Sequence, residues 1–96
     1  MRLYHTSNVE IPHPDIKFSR NHLDFGKGFY LTTLKQQAIN YGQRFLRKGD
    51  NAIMNVYELD NNLEGFSQYK YPNHQLCISN QSLLDKHLHF IESIKL

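Results

Sequence analysis

Two short segments hold the side chains best suited to chemistry. One is Leu3-Tyr4-His5-Thr6-Ser7, which sets an imidazole among hydroxyl groups. The other is Gly26-Lys27-Gly28-Phe29-Tyr30, in which a glycine pair leads into an aromatic residue. Imidazole both donates and accepts protons near neutral pH, and a tyrosine ring offers an apolar face with a polar tip. The glycines permit positive φ or close backbone approach, by a ligand among other things. They are not a phosphate loop, because the GxxxxGK[ST] spacing is missing and a strand follows instead of a helix. The six histidines form no metal pattern. His87 and His89 are two apart and suit one strand face, but no third ligand stands at metal spacing, so no metal is expected. Cys77 is the only cysteine, which excludes an internal disulfide and a cysteine-based zinc cluster. Its strand context makes it a small buried hydrophobe. No GxSxG motif or nucleophile–His–Asp constellation is present.

The elements that must position these residues are partly legible. Residues 2–7 read as a strand, residues 8–21 as irregular around Pro12 and Pro14, and residues 25–32 as a tight turn entering a strand. A helix is predicted over about 33–48. Thr33 with Gln36 has capping-box spacing, and Leu34, Ala38, Tyr41 and Phe45 form one apolar stripe at helical period. That stripe predicts burial of Leu34, Ala38 and Phe45. Gly49 ends the helix, and Arg44, Arg47 and Lys48 read as cations matched to the negative helix end. Residues 52–59 and 75–79 read as strands, residues 60–62 as turn chemistry, and residues 63–71 as extended. A brief helix capped by Asn80 or Ser82 runs to His87, and residues 88–96 form a last strand. Strands interrupted by one long and one short helix predict an α+β fold.

Composition bounds the function classes. Ninety-six residues, 40% hydrophobic and 21% charged, suit one soluble domain with a thin core. No apolar run approaches the roughly 18–20 residues of a membrane span, and the first residues lack the apolar stretch of a secretory signal. A cytoplasmic location is the expectation. A net charge of +2 is too mild to point to nucleic acid. The charge is uneven: residues 1–50 carry a surplus of +4 and residues 51–96 one of −2.

Taken together and in order, the two segments resemble the ADP-ribosyltransferase fold. The resemblance lies in Leu3-Tyr4-His5-Thr6-Ser7, then Asp24-Phe25-Gly26-Lys27-Gly28-Phe29-Tyr30-Leu31-Thr32-Thr33, then Tyr41 eleven residues after Tyr30. It is closest to the diphtheria-toxin-like branch that includes the poly-ADP-ribose polymerases. It looks closer still to a bacterial family of small uncharacterised domains with the same two motifs. The third motif of that branch, a glutamate before a short apolar strand, is matched here by Gln75 before Leu76-Cys77-Ile78.

The resemblance implies two small, mostly antiparallel sheets around a cleft, with NAD as substrate and no metal. It implies that His5 bonds a ribose hydroxyl and that the Thr6 backbone pairs with the nicotinamide carboxamide. Ser7 would add a hydroxyl to the same amide. Tyr30 and Tyr41 would hold the nicotinamide ring, Gly28 would let the backbone pass the ligand, and Arg20, with Lys27, would neutralise the pyrophosphate. Gln75 would stand at the catalytic glutamate's position, with Glu58 and Glu92 the next carboxylates to consider. The implied activity is mono-ADP-ribosylation of a protein or nucleic-acid acceptor by a small toxin or effector, with a cognate antitoxin or a homodimer as further partners. The alternative is an inactive module of the same fold that binds a ligand or a protein.

Overall fold

The structure, a computed structural model, describes residues 1–16, 28–60, 69–70 and 74–96. Six strands and two helices follow one another along the chain: β1 (Arg2–Ser7), β2 (Phe29–Thr32), α1 (Lys35–Arg47), β3 (Ile53–Leu59), β4 (Tyr69–Lys70), β5 (Gln75–Ile78), α2 (Gln81–His87) and β6 (Leu88–Lys95). The strands are ordered β4-β5-β2-β1-β3-β6, and every neighbouring pair is antiparallel. The α+β class is as the pattern of elements predicts.

The expected division into two sheets is corrected. β1 pairs in both directions and joins the strands into one six-stranded sheet. The two junctions differ in extent. β1 meets β3 along its whole length, from Arg2↔Glu58 to Ser7↔Ile53. It meets β2 at one register pair among the described residues, Tyr4↔Thr32. The sheet is therefore continuous but narrowly joined where a cleft was expected.

Alternation along the strands gives each face its own core. One face gathers Leu3, Phe29, Leu31, Tyr57, Leu59, Leu76, Ile78, Leu84 and Leu88, with Ile11 and Ile16 packed against them. Burying an aliphatic side chain of this size contributes about 1.5–3 kcal/mol. The other face carries Met54 and Val56 under Ala38 of α1, with Tyr4, Ile39, Ile94 and Leu96 beside them. β6 serves both cores because of a bulge. Phe90 lies opposite Tyr57 and Glu92 opposite Val56, so Ile91 is the extra residue. Leu88 and Phe90 thus reach the first face, and Ile94 the second.

α1 begins at Lys35, with Leu34 as its N-cap and no side-chain cap. The capping box does not form. The Thr33 N–H donates instead to the His74 carbonyl at 3.1 Å, and Gln36 bonds Asn40. Thr32 takes over part of the task, its hydroxyl accepting from the Leu34 N–H at 3.1 Å and donating to the Gln37 side chain. The buried stripe is also corrected. Ala38 is buried, but Leu34 is 44% exposed, Tyr41 38% exposed and Phe45 half-buried. The helix meets the sheet through its small residues. A Cβ on Gly42 would lie 2.7 Å from Leu96 Cδ1 and 3.3 Å from Thr6 Cγ2. Small residues bring the helix axis close to the sheet and leave the large ones on its flank.

A fully buried amide ties the N-terminal segment to this frame. Asn55 Nδ2 donates to the carbonyls of His5 and Val9, both at 3.2 Å, and Oδ1 accepts from the Ile11 N–H at 2.9 Å. The Tyr57 hydroxyl donates to the Ile11 carbonyl at 2.7 Å, and burial pushes that phenol's pKa upward.

Two carboxylates fasten the far edge of the sheet. Glu58 accepts from the Met1 ammonium at 3.1 Å and pairs with Arg2. Asp60 bonds the imidazoles of His87 at 3.2 Å and His89 at 3.0 Å. These bonds hold both carboxyls below their ordinary range. A carboxylate with a lowered folded pKa contributes stability above its unfolded pKa of about 4, and that contribution is lost as pH falls through the folded value. Urea midpoints measured across pH will therefore fall below about pH 4. Asp60→Asn will flatten that decline.

Candidate functional site

The register decides which motif side chains can meet. Tyr4 lies opposite Thr32, so even-numbered residues of β1 and β2 share a face. β5 continues the pattern, with Gln75 opposite Thr32 and Cys77 opposite Tyr30. Tyr30, Thr32, Gln75 and Cys77 consequently project to the face that carries α1. Gln37 reaches Thr32 across this face. Tyr41 is one helical turn beyond Gln37, so it stands on the same β2-facing flank of α1. The structure brings Tyr30, Tyr41 and Gln75 to one strip of sheet beside the helix. Gln75 is half-buried at the start of β5.

His5 belongs to the opposite face. Its ring stacks on Phe29 with centroids 4.2 Å apart and planes at 24°. It still touches the second motif. Nδ1 lies 2.5 Å from the Tyr30 carbonyl oxygen. A carbonyl only accepts, so Nδ1 carries the proton and a neutral ring keeps its lone pair on Nε2. This bond occupies the stretch where β1 and β2 have stopped pairing, and it ties the two motif segments together. His5 and the Tyr30 ring thus bracket the narrow junction from its two sides.

The other expected residues fall as follows. Thr6 is buried under α1, and its hydroxyl donates to the Ala38 carbonyl at 2.8 Å. Its side chain thereby holds helix to sheet. Ser7 ends β1 on the His5 face, and its hydroxyl lies 3.4 Å from the Asn8 side chain. Gly28 has a packing reason. A Cβ there would lie 2.4 Å from Cys77 Sγ and 3.1 Å from the Ile78 carbonyl oxygen, so the close neighbour is β5. Arg20 and Lys27 lie outside the described residues. Glu58 and Glu92 sit on the β3–β6 side of β1, away from β2 and β5. Glu58 is committed to Met1 and Arg2.

Sequence reasoning missed three contributors. Thr32 and Gln37 link β2 to α1 beside the strip, and Cys77 lies beneath Tyr30. Burial pushes the Cys77 thiol's pKa up, while its bond with the Tyr30 side chain pulls the other way. Only the pairing register reveals these neighbours. Among the described residues no cluster of His, Cys, Asp or Glu could hold a metal ion, and no helix is long and apolar enough to cross a membrane.

With this geometry in view, the comparisons with known proteins narrow the family. A family model described as protein of unknown function (DUF3990) matches residues 1–75, and the chain belongs to that family. The match covers β1, β2, α1, β3 and β4 and ends at Gln75, the first residue of β5. No curated protein and no solved structure matches the chain.

The contact under Gly28 supplies a stability test. Gly28→Ala will lower the stability read by urea denaturation by about 1–3 kcal/mol through overpacking against Cys77. Adding Cys77→Ala, which removes the sulfur, will restore much of the loss, so the two changes will be strongly non-additive.

Proposed function

We propose that this DUF3990 domain is an NAD-dependent mono-ADP-ribosyltransferase of the diphtheria-toxin-like branch, with the β1–β2 junction as its NAD site. One observation carries the reading. The His5 imidazole bonds the Tyr30 backbone where the two strands cease to pair, so both motif segments converge on one place. The exposed Tyr41 ring on the adjoining helix flank supports it.

In this reading His5 offers Nε2 to a ribose hydroxyl, while Tyr30 and Tyr41 hold the nicotinamide ring through their aromatic faces. The glycosidic C–N bond breaks and nicotinamide leaves with the electron pair. The ribose passes through an oxocarbenium-like state. An acceptor nucleophile then bonds to the same carbon and gives up its proton to water or to a base on the acceptor. Gln75 bonds the 2′-hydroxyl and supplies no negative charge, so the site suits a single transfer to a macromolecular acceptor. A toxin or effector role fits that chemistry. The neutral Gln75 and the distance of Glu58 and Glu92 in the sheet favour a second reading, a module that binds NAD or a related nucleotide without turning it over.

Nicotinamide release from NAD by the purified chain separates the readings, with calorimetry reporting binding. Transfer activity requires both binding and release. Binding without release supports the second reading, and no binding of NAD or any related nucleotide removes both. Under the first reading Gln75→Glu will raise release, because a carboxylate gains value as the ribose becomes cationic. Gln75→Ala will lower it, and neither change will alter NAD affinity appreciably. The acceleration by glutamate will fade at acid pH as that carboxyl takes up a proton. Tyr30→Ala will weaken NAD binding by about 2–10-fold beyond the effect of lost contact area.

A further inference from the structure

We infer that the exposed flank of α1 binds single-stranded nucleic acid. Lys35, Arg44, Arg47 and Lys48 fall within fourteen residues, and no carboxylate occurs between residues 33 and 49. All four cations are exposed. Among the described residues the ion pairs run elsewhere, on Glu58 and Asp60, and none involves a cation of this helix. Asp50, the next carboxylate along the chain, pairs with none of them. The positive charge of the helix is thus uncompensated from within the described chain.

The helix dipole accounts for cations at Arg47 and Lys48. It does not account for what lies beside them. Tyr41 is 38% exposed, Leu34 is 44% exposed, and the Arg44 guanidinium lies over the Tyr41 ring at 5.2 Å from its centroid. Helical spacing puts Tyr41, Arg44 and Lys48 on one flank at i, i+3 and i+7. Phe45 meets Tyr41 edge-on at 5.8 Å and steadies its ring. A flat ring backed by a guanidinium and flanked by unpaired cations is the arrangement that stacks bases and neutralises phosphates of a single strand. An acidic peptide would satisfy the charge and leave the exposed ring without a flat partner. The inference does not depend on NAD chemistry. Tyr41 is also the ring that the NAD reading assigns to nicotinamide, so if both readings hold a stacked base and NAD compete for it.

The test is fluorescence anisotropy of a labelled oligothymidine of about 12 nucleotides with the full chain, between about 50 and 200 mM salt. Single-strand binding loses affinity with a log–log salt slope of roughly −0.7 per phosphate neutralised. Three contacts, from Arg44, Arg47 and Lys48, predict a slope near −2. The double variant Arg47→Ala with Lys48→Ala will make the slope shallower by about 1.4 while its far-UV dichroism stays that of the wild type. Tyr41→Ala will weaken binding by about 5-fold or more at fixed salt. The inference is overturned by no anisotropy change at about 100 μM chain in the lowest salt. It is equally overturned by an unchanged slope in the double variant. Displacement of the oligonucleotide by polyglutamate at equal charge also overturns it, and assigns the flank to an acidic protein.

Discussion

The buried amide of Asn55 holds together the place where β1, β3 and the segment after β1 meet. Its three bonds satisfy two carbonyls and one N–H that would otherwise be shut away from water, and each such group left unpaired costs about 1–3 kcal/mol. Because Asn55 lies directly opposite His5, the same amide fixes the backbone that carries the imidazole. β3 is in turn fixed by β6 on its other side, along a register that runs from Ile53↔Lys95 to Leu59↔Leu88. The β1–β3–β6 half of the sheet is therefore paired along its whole length. The β2–β5 half joins it through one register pair, the His5–Tyr30 bond and the core that Phe29, Leu31, Leu76 and Ile78 share with Leu3 and Tyr57.

This unevenness reconciles the one-sheet structure with the two-sheet expectation. A cleft between sheets and a sheet with a nearly unpaired interior boundary both interrupt the backbone ladder at the same point in the chain order. The difference is one pairing, Tyr4↔Thr32, made by two residues whose types do not announce it. Which strand neighbours which is set by the faces that the whole sheet buries, and the four residues of β2, buried on both faces, do not show by themselves which strand lies on either side.

Much of the fold was legible because its signals are local. The strands around residues 2–7, 53–59 and 88–95 follow from alternation and that at 75–78 from its short apolar run, and the Asn80 cap of α2 forms, accepting from the Ser82 N–H at 2.9 Å. The misreadings concern what lies across from a residue. Thr33 has the spacing of a cap, but the His74 carbonyl competes for it from β5's side. The apolar stripe of α1 is real as a pattern, yet Ala38 and Gly42 make the contact because small residues allow the closest approach. The facing of His5 against Tyr30 is a matter of parity across a strand junction. Motif order carries no trace of it, although it does place both residues at that junction.

The bulge at Ile91 has a consequence for how this sequence can change length. Ahead of it, even-numbered side chains of β6 enter one core, and beyond it they enter the other. The strand thus works as a frame-sensitive seam. Loss or gain of one residue beyond the bulge, between Glu92 and Ile94, would exchange inward and outward side chains for the rest of the strand, sending Lys95 or Ser93 to where Ile94 packs, whereas loss of Ile91 itself would heal the bulge and leave Phe90 opposite Tyr57 and Glu92 opposite Val56. Substitutions at the exposed Ile91 are cheap by comparison, since its side chain is the one that neither core uses. Descendants of this sequence can vary or drop the letter at that position while the number of letters after it stays constant.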